Sequence, residues 1–206
     1  MRKLFATLTA AALACGGFAQ NVTKPAIPAD PTVEQKIQKM LSKMSLDEKI
    51  GQMLELNIDI FGETDANGVW HINEQKLDTT ISKYKIGSVL NAPATRAGTV
   101  KQWQTWIPLI QKLSMKHIGI PSIYGLDNNH GVTYIQGGTI FPQPINLAAS
   151  FNTALATTMA QVTAYESRAA NCPWVYNPTI DLGRDPRWPR IWESYGEDAV
   201  VNSRMV

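Results

Sequence analysis

Apolar residues recur at helical spacing soon after residue 30, at Val33, Ile37, Met40 and Leu41, with Met44 one turn on. Ser45 followed three residues later by Glu48 is a capping box, and it predicts a second helix through Ile50, Met53 and Leu54. The three methionines of this stretch, at such spacing, read as core packing rather than a soft-metal site. From Ile58 to Asn73 the periodicity breaks, and Gly62, Asn67 and Gly68 suggest a loop or short hairpin. A helical stretch from Asn73 to Tyr84 leads into Ile86–Leu90, a short apolar run expected to be a buried strand. Thr99 to Lys116 reads as the next helix, which Pro108 should kink or break. Ile118–Gly125 then reads as a strand, followed by a loop from Asp127 to Phe141 and a helix from Thr153 to Ala170. A strand at Trp174–Tyr176 and a last helix starting near Tyr195 complete the pattern. Strands alternating with helices indicate an α/β fold with parallel strands.

Length narrows this picture. A complete (β/α)8 barrel takes about 250 residues. The 206 residues show only three or so strand–helix units, and the final pattern reaches Met205–Val206 without a capping signal. The expectation is a partial TIM-like (β/α)8 barrel, roughly its N-terminal half, over residues 32–206. At the other end, Arg2 and Lys3 precede an apolar run from Leu4 to Ala14, then small residues and Gln20. That order predicts a secretory signal peptide over residues 1–19, too short to span a membrane as a helix, and a proline-bearing arm over 20–31. Gly17-Phe18-Ala19 offers the cleavage site, and Ala12-Leu13-Ala14-Cys15 offers a rival, a lipoprotein signal ending in a lipidated Cys15.

The formal charge of +2 resides in that first segment, through Arg2 and Lys3. A near-neutral remainder argues against an electrostatic nucleic-acid binder. Of the two cysteines only Cys172 would survive cleavage, so no internal disulfide is expected, and export without one suits a bacterial periplasm. Cys172 itself reads as a buried packing thiol.

Three clusters could carry chemistry, each at or beyond a predicted strand end. In Gly125-Leu126-Asp127-Asn128-Asn129-His130-Gly131, Asp127 sits where barrel enzymes place binding and catalytic groups. An Asx turn is the plainer role for Asp127, and a structural hydrogen bond the plainer role for His130. Trp174 to Asp185 contributes Asn177, Asp181, Arg184 and Asp185, and Pro186 to Asp198 adds Arg187, Trp188, Arg190 and Glu193. Arginine forks and tryptophan faces suit sugars, whereas Arg187, Arg190 and Glu193 read more simply as ion-paired braces of a barrel rim. Trp103 and Trp106, on a mid-helix face, read as packing. The histidines His71, His117 and His130 are dispersed without metal-ligand spacing, and no P-loop, dinucleotide fingerprint or Gly-x-Ser-x-Gly elbow occurs.

Four ordered segments carry a specific resemblance: MSLDEKIGQM (Met44–Met53), IPSIYGLDNNHG (Ile120–Gly131), TIFPQPINLAASFN (Thr139–Asn152) and DLGRDPRWPRIWESYGED (Asp181–Asp198). Together they resemble the N-terminal barrel domain of family 3 glycoside hydrolases. The resemblance implies a retaining, exo-acting β-glycosidase, most often a β-glucosidase, that needs no cofactor and no metal. Its substrate would be a β-linked oligosaccharide or glycoside, with no nucleic acid and no membrane span involved. By position, Asp127 matches the aspartate that grips hydroxyls of the terminal sugar, and Arg184 matches an arginine that contacts the same sugar. Both are expected to face one cavity at the carboxyl ends of their strands. Pro189 stands where the family more often has glycine. No match occurs for the family's Lys-His sugar-binding pair, its nucleophilic aspartate or its acid/base, so no catalytic residue is assigned within the 206 residues. The alternatives are another exo-specificity, such as β-xylosidase, and a noncatalytic carbohydrate-binding protein.

Overall fold

The structure, a computed structural model, describes residues 28–206. The predicted signal peptide, Cys15 and most of the predicted arm lie outside the described residues. The described residues fall into two units, residues 28–44 and 45–206. In the first, helix α1 (Pro31–Leu41) begins at Pro31, where Asp30 accepts from the amides of Thr32 and Val33. A proline at the first helical position costs nothing, because that amide would be unpaired anyway.

The second unit opens with α2 (Leu46–Gln52), capped by the expected box of Ser45 and Glu48. Chain order then gives β1 (Glu55–Asn57), a one-turn 3-10 helix (Ile58–Phe61) and the hairpin β2 (Gly62–Thr64) and β3 (Trp70–Ile72). Next come α3 (Glu74–Tyr84), β4 (Ser88–Leu90), α4 (Val100–His117) and β5 (Ile123–Leu126). The remaining elements are α5 (Pro144–Ala148), α6 (Thr153–Ala169), β6 (Trp174–Val175) and α7 (Ala199–Met205). Strands β1, β4, β5 and β6 form one parallel sheet in that order, each joined to the next through a helix. This is the winding of a TIM-like barrel wall.

Several expectations need correction. The helix α4 runs unbroken through Pro108, which sits on its exposed face, so the carbonyl that loses its donor can face water. The strand expected at Ile118–Gly125 begins only at Ile123. Ile118 caps α4 and Gly119 adopts φ +73, a left-handed helix exit that consumes the preceding residues. The short strand β1 (Glu55–Asn57) falls between the helix predicted through Leu54 and the irregular segment from Ile58, a gap in which no element was expected. Met53 is 85% exposed, since α2 stops at Gln52 and carries the spacing no further. The last helix starts at Ala199, four residues after Tyr195, because Asp198 caps it through the amides of Val200 and Val201.

The main core lies between the sheet and its helices: Val89, Tyr124 and Leu126 from the strands meet Leu77 and Ile81 of α3 and Trp103, Ile107 and Ile110 of α4. Trp103 is fully buried and its indole Nε1 donates to the Tyr134 carbonyl at 2.9 Å, the packing role expected for it. Cys172 is likewise fully buried, and burial pushes its thiol up to about 11. A second cluster, including Leu147, Met159, Tyr195 and Met205, joins α5, α6 and α7.

Candidate active site

Asp127 follows the last residue of β5, and the loop behind it is firmly tied. His130 Nδ1 donates to the Phe141 carbonyl at 2.7 Å, while the Phe141 amide returns to the His130 carbonyl at 2.7 Å. Gly131 between them has φ +99, and a Cβ there would come within 2.1 Å of the Thr139 carbonyl oxygen. Asn128, fully buried, donates to Ser167 of α6 at 2.9 Å. Asn129 Nδ2 donates to Glu193 at 2.6 Å. His130 therefore holds the loop, as its plainer reading required.

Arg190 links the two clusters. Its Nη2 donates to Asp127 Oδ2 at 3.1 Å, and its Nε and Nη2 fork onto the two oxygens of Glu193. The fork makes Arg190 and Glu193 the rim brace the sequence suggested, and it also fixes Asp127. Arg187 does something more local, pairing with Asp185 two residues away on the surface. Burial pushes the Asp127 carboxyl above the ordinary aspartate value; Arg190 opposes that, Glu193 adds to it, and Asn129 opposes it. The side chain is one-third exposed (33%), open enough to meet a ligand.

Two cavities meet at Asp127. The larger, about 480 Å³, is lined by Glu55, Asp127, Tyr176, Asp181, Trp188 and Arg190 among others. The smaller, about 240 Å³, is polar and includes Asp127, Asn129, Tyr134, Gln143 and Glu193 in its wall. Carboxylates, an arginine and a tryptophan in one cleft can accept sugar hydroxyls and cover a sugar's apolar face. Arg184 lines neither cavity and is exposed, on the same loop as Asp181 and Trp188. The arginine that the structure brings to Asp127 is Arg190.

Sequence reasoning passed over Glu55 and Tyr176. Tyr176 directly follows β6, the same position past a strand end that marked Asp127, so a signal existed. Glu55 opens a strand of three residues, too short to leave an alternating pattern in the sequence. Asn129 and Gln143 were also missed as cavity residues. Among the described residues, no cluster of three or more His, Cys, Asp or Glu side chains could hold a metal ion.

Residues 45–206 match the glycosyl hydrolase family 3 N terminal domain. The chain belongs to that family. A lysosomal beta glucosidase of Dictyostelium discoideum is 40% identical over 178 residues, covering 82% of this chain and 21% of that protein. A putative beta-xylosidase of Formosa agariphila is 32% identical over 185 residues, covering 86% of this chain and 23% of the relative. Among solved structures, the exo-1,3/1,4-beta-glucanase of a Pseudoalteromonas species superposes with a TM-score of 0.73 at 30% identity, covering 89% of this chain and 22% of that one. The chain thus spans about a fifth of the length of these three proteins. These likenesses identify the parallel sheet and its helices as part of the family's TIM-like barrel.

Proposed function

We propose that this chain supplies the sugar-gripping face of a β-glycosidase that releases terminal non-reducing β-D-glucosyl residues by retaining double displacement. The observation that carries the reading is Asp127: it stands at the carboxyl end of a barrel strand, lines both cavities, and is fixed by Arg190. Its ionised oxygens accept hydroxyls of the terminal sugar, and Trp188 offers that sugar an apolar face. Arg184 keeps its place in the proposal as a second contact with the sugar on the family resemblance of its motif alone, since it lines neither cavity. Double displacement needs two carboxyl groups about 5–5.5 Å apart across the scissile bond. Asp127 matches the binding aspartate and is engaged by Arg190, so the proposal gives it neither the nucleophile's nor the acid/base role, and it assigns those two roles to no residue of this chain.

The β-xylosidase reading stays as the second one, because a relative named for that activity is 32% identical. We further propose export to a bacterial periplasm, on the Arg2–Lys3 and Leu4–Ala14 pattern, with lipid anchoring through Cys15 as the alternative. Among the described residues, no helix is long and apolar enough to cross a membrane.

The test is turnover of aryl β-glucosides and β-xylosides by the full-length protein of this reading frame, with the anomer of the first product read by NMR. Asp127→Asn is expected to lower kcat/KM by about tenfold to a hundredfold, the worth of a charge-assisted hydrogen bond. Release of the inverted anomer would refute the retaining mechanism, and an unaffected Asp127→Asn enzyme would refute the site.

A further inference from the structure

We infer that Glu55 is a second acceptor of sugar hydroxyls, positioned by Tyr176, in the larger cavity beside Asp127. The inference rests on the sugar-binding reading of that cavity.

Glu55 belongs to β1 and Tyr176 directly follows β6, the two outer strands of the four-stranded sheet. Their side chains nevertheless meet: Tyr176 Oη donates to Glu55 Oε1 at 2.5 Å, across 121 residues of sequence. The path of that bond is cleared by Gly125 of β5, where a Cβ would lie 2.0 Å from the Tyr176 oxygen. The Tyr176 ring is braced from behind by Trp174, with centroids 5.1 Å apart. Both Glu55 and Tyr176 line the cavity that holds Asp127, Asp181 and Arg190.

A phenol has one proton to give. Burial, followed by the hydrogen bond to Glu55, raises the Tyr176 phenol above its ordinary range, so it stays a donor at neutral pH. One carboxylate oxygen of Glu55 is thereby pinned. Among the described residues, no protein group donates to the other, Oε2. Glu55 is exposed at the cavity wall, so a carboxylate held there by one oxygen presents the other to whatever enters the cleft. Sugar hydroxyls are donors of the right kind, and Asp127 supplies the neighbouring acceptor. A purely structural latch between β1 and β6 would use the same hydrogen bond, so the test must separate the two roles.

The experiment measures kcat/KM of the full-length protein on an aryl β-glucoside and on its deoxy analogues, each lacking one ring hydroxyl, for wild type, Glu55→Gln and Tyr176→Phe. Glu55→Gln is expected to lose about tenfold on the parent glucoside. On one deoxy analogue, the one missing the hydroxyl Glu55 accepts, wild type and variant should agree within about twofold. Tyr176→Phe should show a smaller loss confined to the same analogue pattern, and it carries the test if Glu55→Gln does not fold. A latch would scale every substrate down by the same factor, and that result would overturn the inference alone. Absence of turnover of every aryl β-glycoside by the wild-type protein would overturn the functional reading and the inference with it.

Discussion

Burial works against ionising Asp127, and the nearby charge of Glu193 adds to that, while Arg190 and the Asn129 amide favour the charged form. The net effect is a pKa above the ordinary aspartate value, and the sign has two consequences. For stability, a raised folded pKa means a contribution fully present below the unfolded pKa and lost as pH rises through the folded one. At pH 7 the ionised Asp127 is therefore a small burden, discounted because the side chain is one-third exposed (33%). Asp127→Asn should leave the unfolding free energy at pH 7 within about 0.5 kcal/mol of wild type, or slightly above it, in denaturant titrations. For function, the ionised acceptor is lost as pH falls through that raised pKa. Sugar affinity should decline from a higher pH than an ordinary aspartate would give, and Asp127→Asn should flatten that limb in a titration with glucose or a glucoside. Asp127 was legible because a carboxylate beyond a buried strand is a local pattern. The link from Arg190 to Asp127 was not, since the two lie 63 residues apart and three arginines compete within seven positions of one loop.

The helices were the most legible elements because their caps are local chemistry. Ser45 with Glu48 and Thr99 with Gln102 both form complete capping boxes, and Asn73 and Asn152 cap α3 and α6. Strands only two to four residues long leave too little pattern to read, which is why β1 was lost and β5 was displaced. Helix α4 shows tertiary packing overriding a local rule. Its inner face buries Trp103, Ile107, Ile110 and Leu113, and that burial offsets the interruption at Pro108 on the outer face. Replacing Pro108 with alanine restores a backbone donor on an exposed face, so it should stabilise the protein by about 1–3 kcal/mol. The checking measurement is the urea midpoint, with an unchanged slope; a destabilised Pro108→Ala variant would show that the proline is needed where it stands.

Across the second unit, the parallel sheet ends in β1 on one side and β6 on the other, and several large apolar side chains are open, among them Phe151 (77%), Tyr165 (77%) and Ile180 (66%). Parallel sheets are ordinarily covered on both faces, and bare edges invite pairing with other chains. The 206-residue chain produced by itself is expected to associate and to bind a hydrophobic dye, without turnover of an aryl β-glucoside. A monodisperse monomer with one sharp unfolding transition would contradict that expectation. The fold class was legible from the alternation of strands and helices, whereas the clefts around Asp127 arise only when β1, β5, β6 and the 177–198 loop come together. The most direct measurement traps the full-length protein with a 2-fluoroglucoside and maps the labelled peptide. The predicted result is a covalent glucosyl label on a carboxylate other than Asp127, formed more slowly but at the same residue in Asp127→Asn. A label on Asp127 itself, or stoichiometric labelling of the 206-residue chain alone, would contradict the assignment of this chain as the sugar-gripping face.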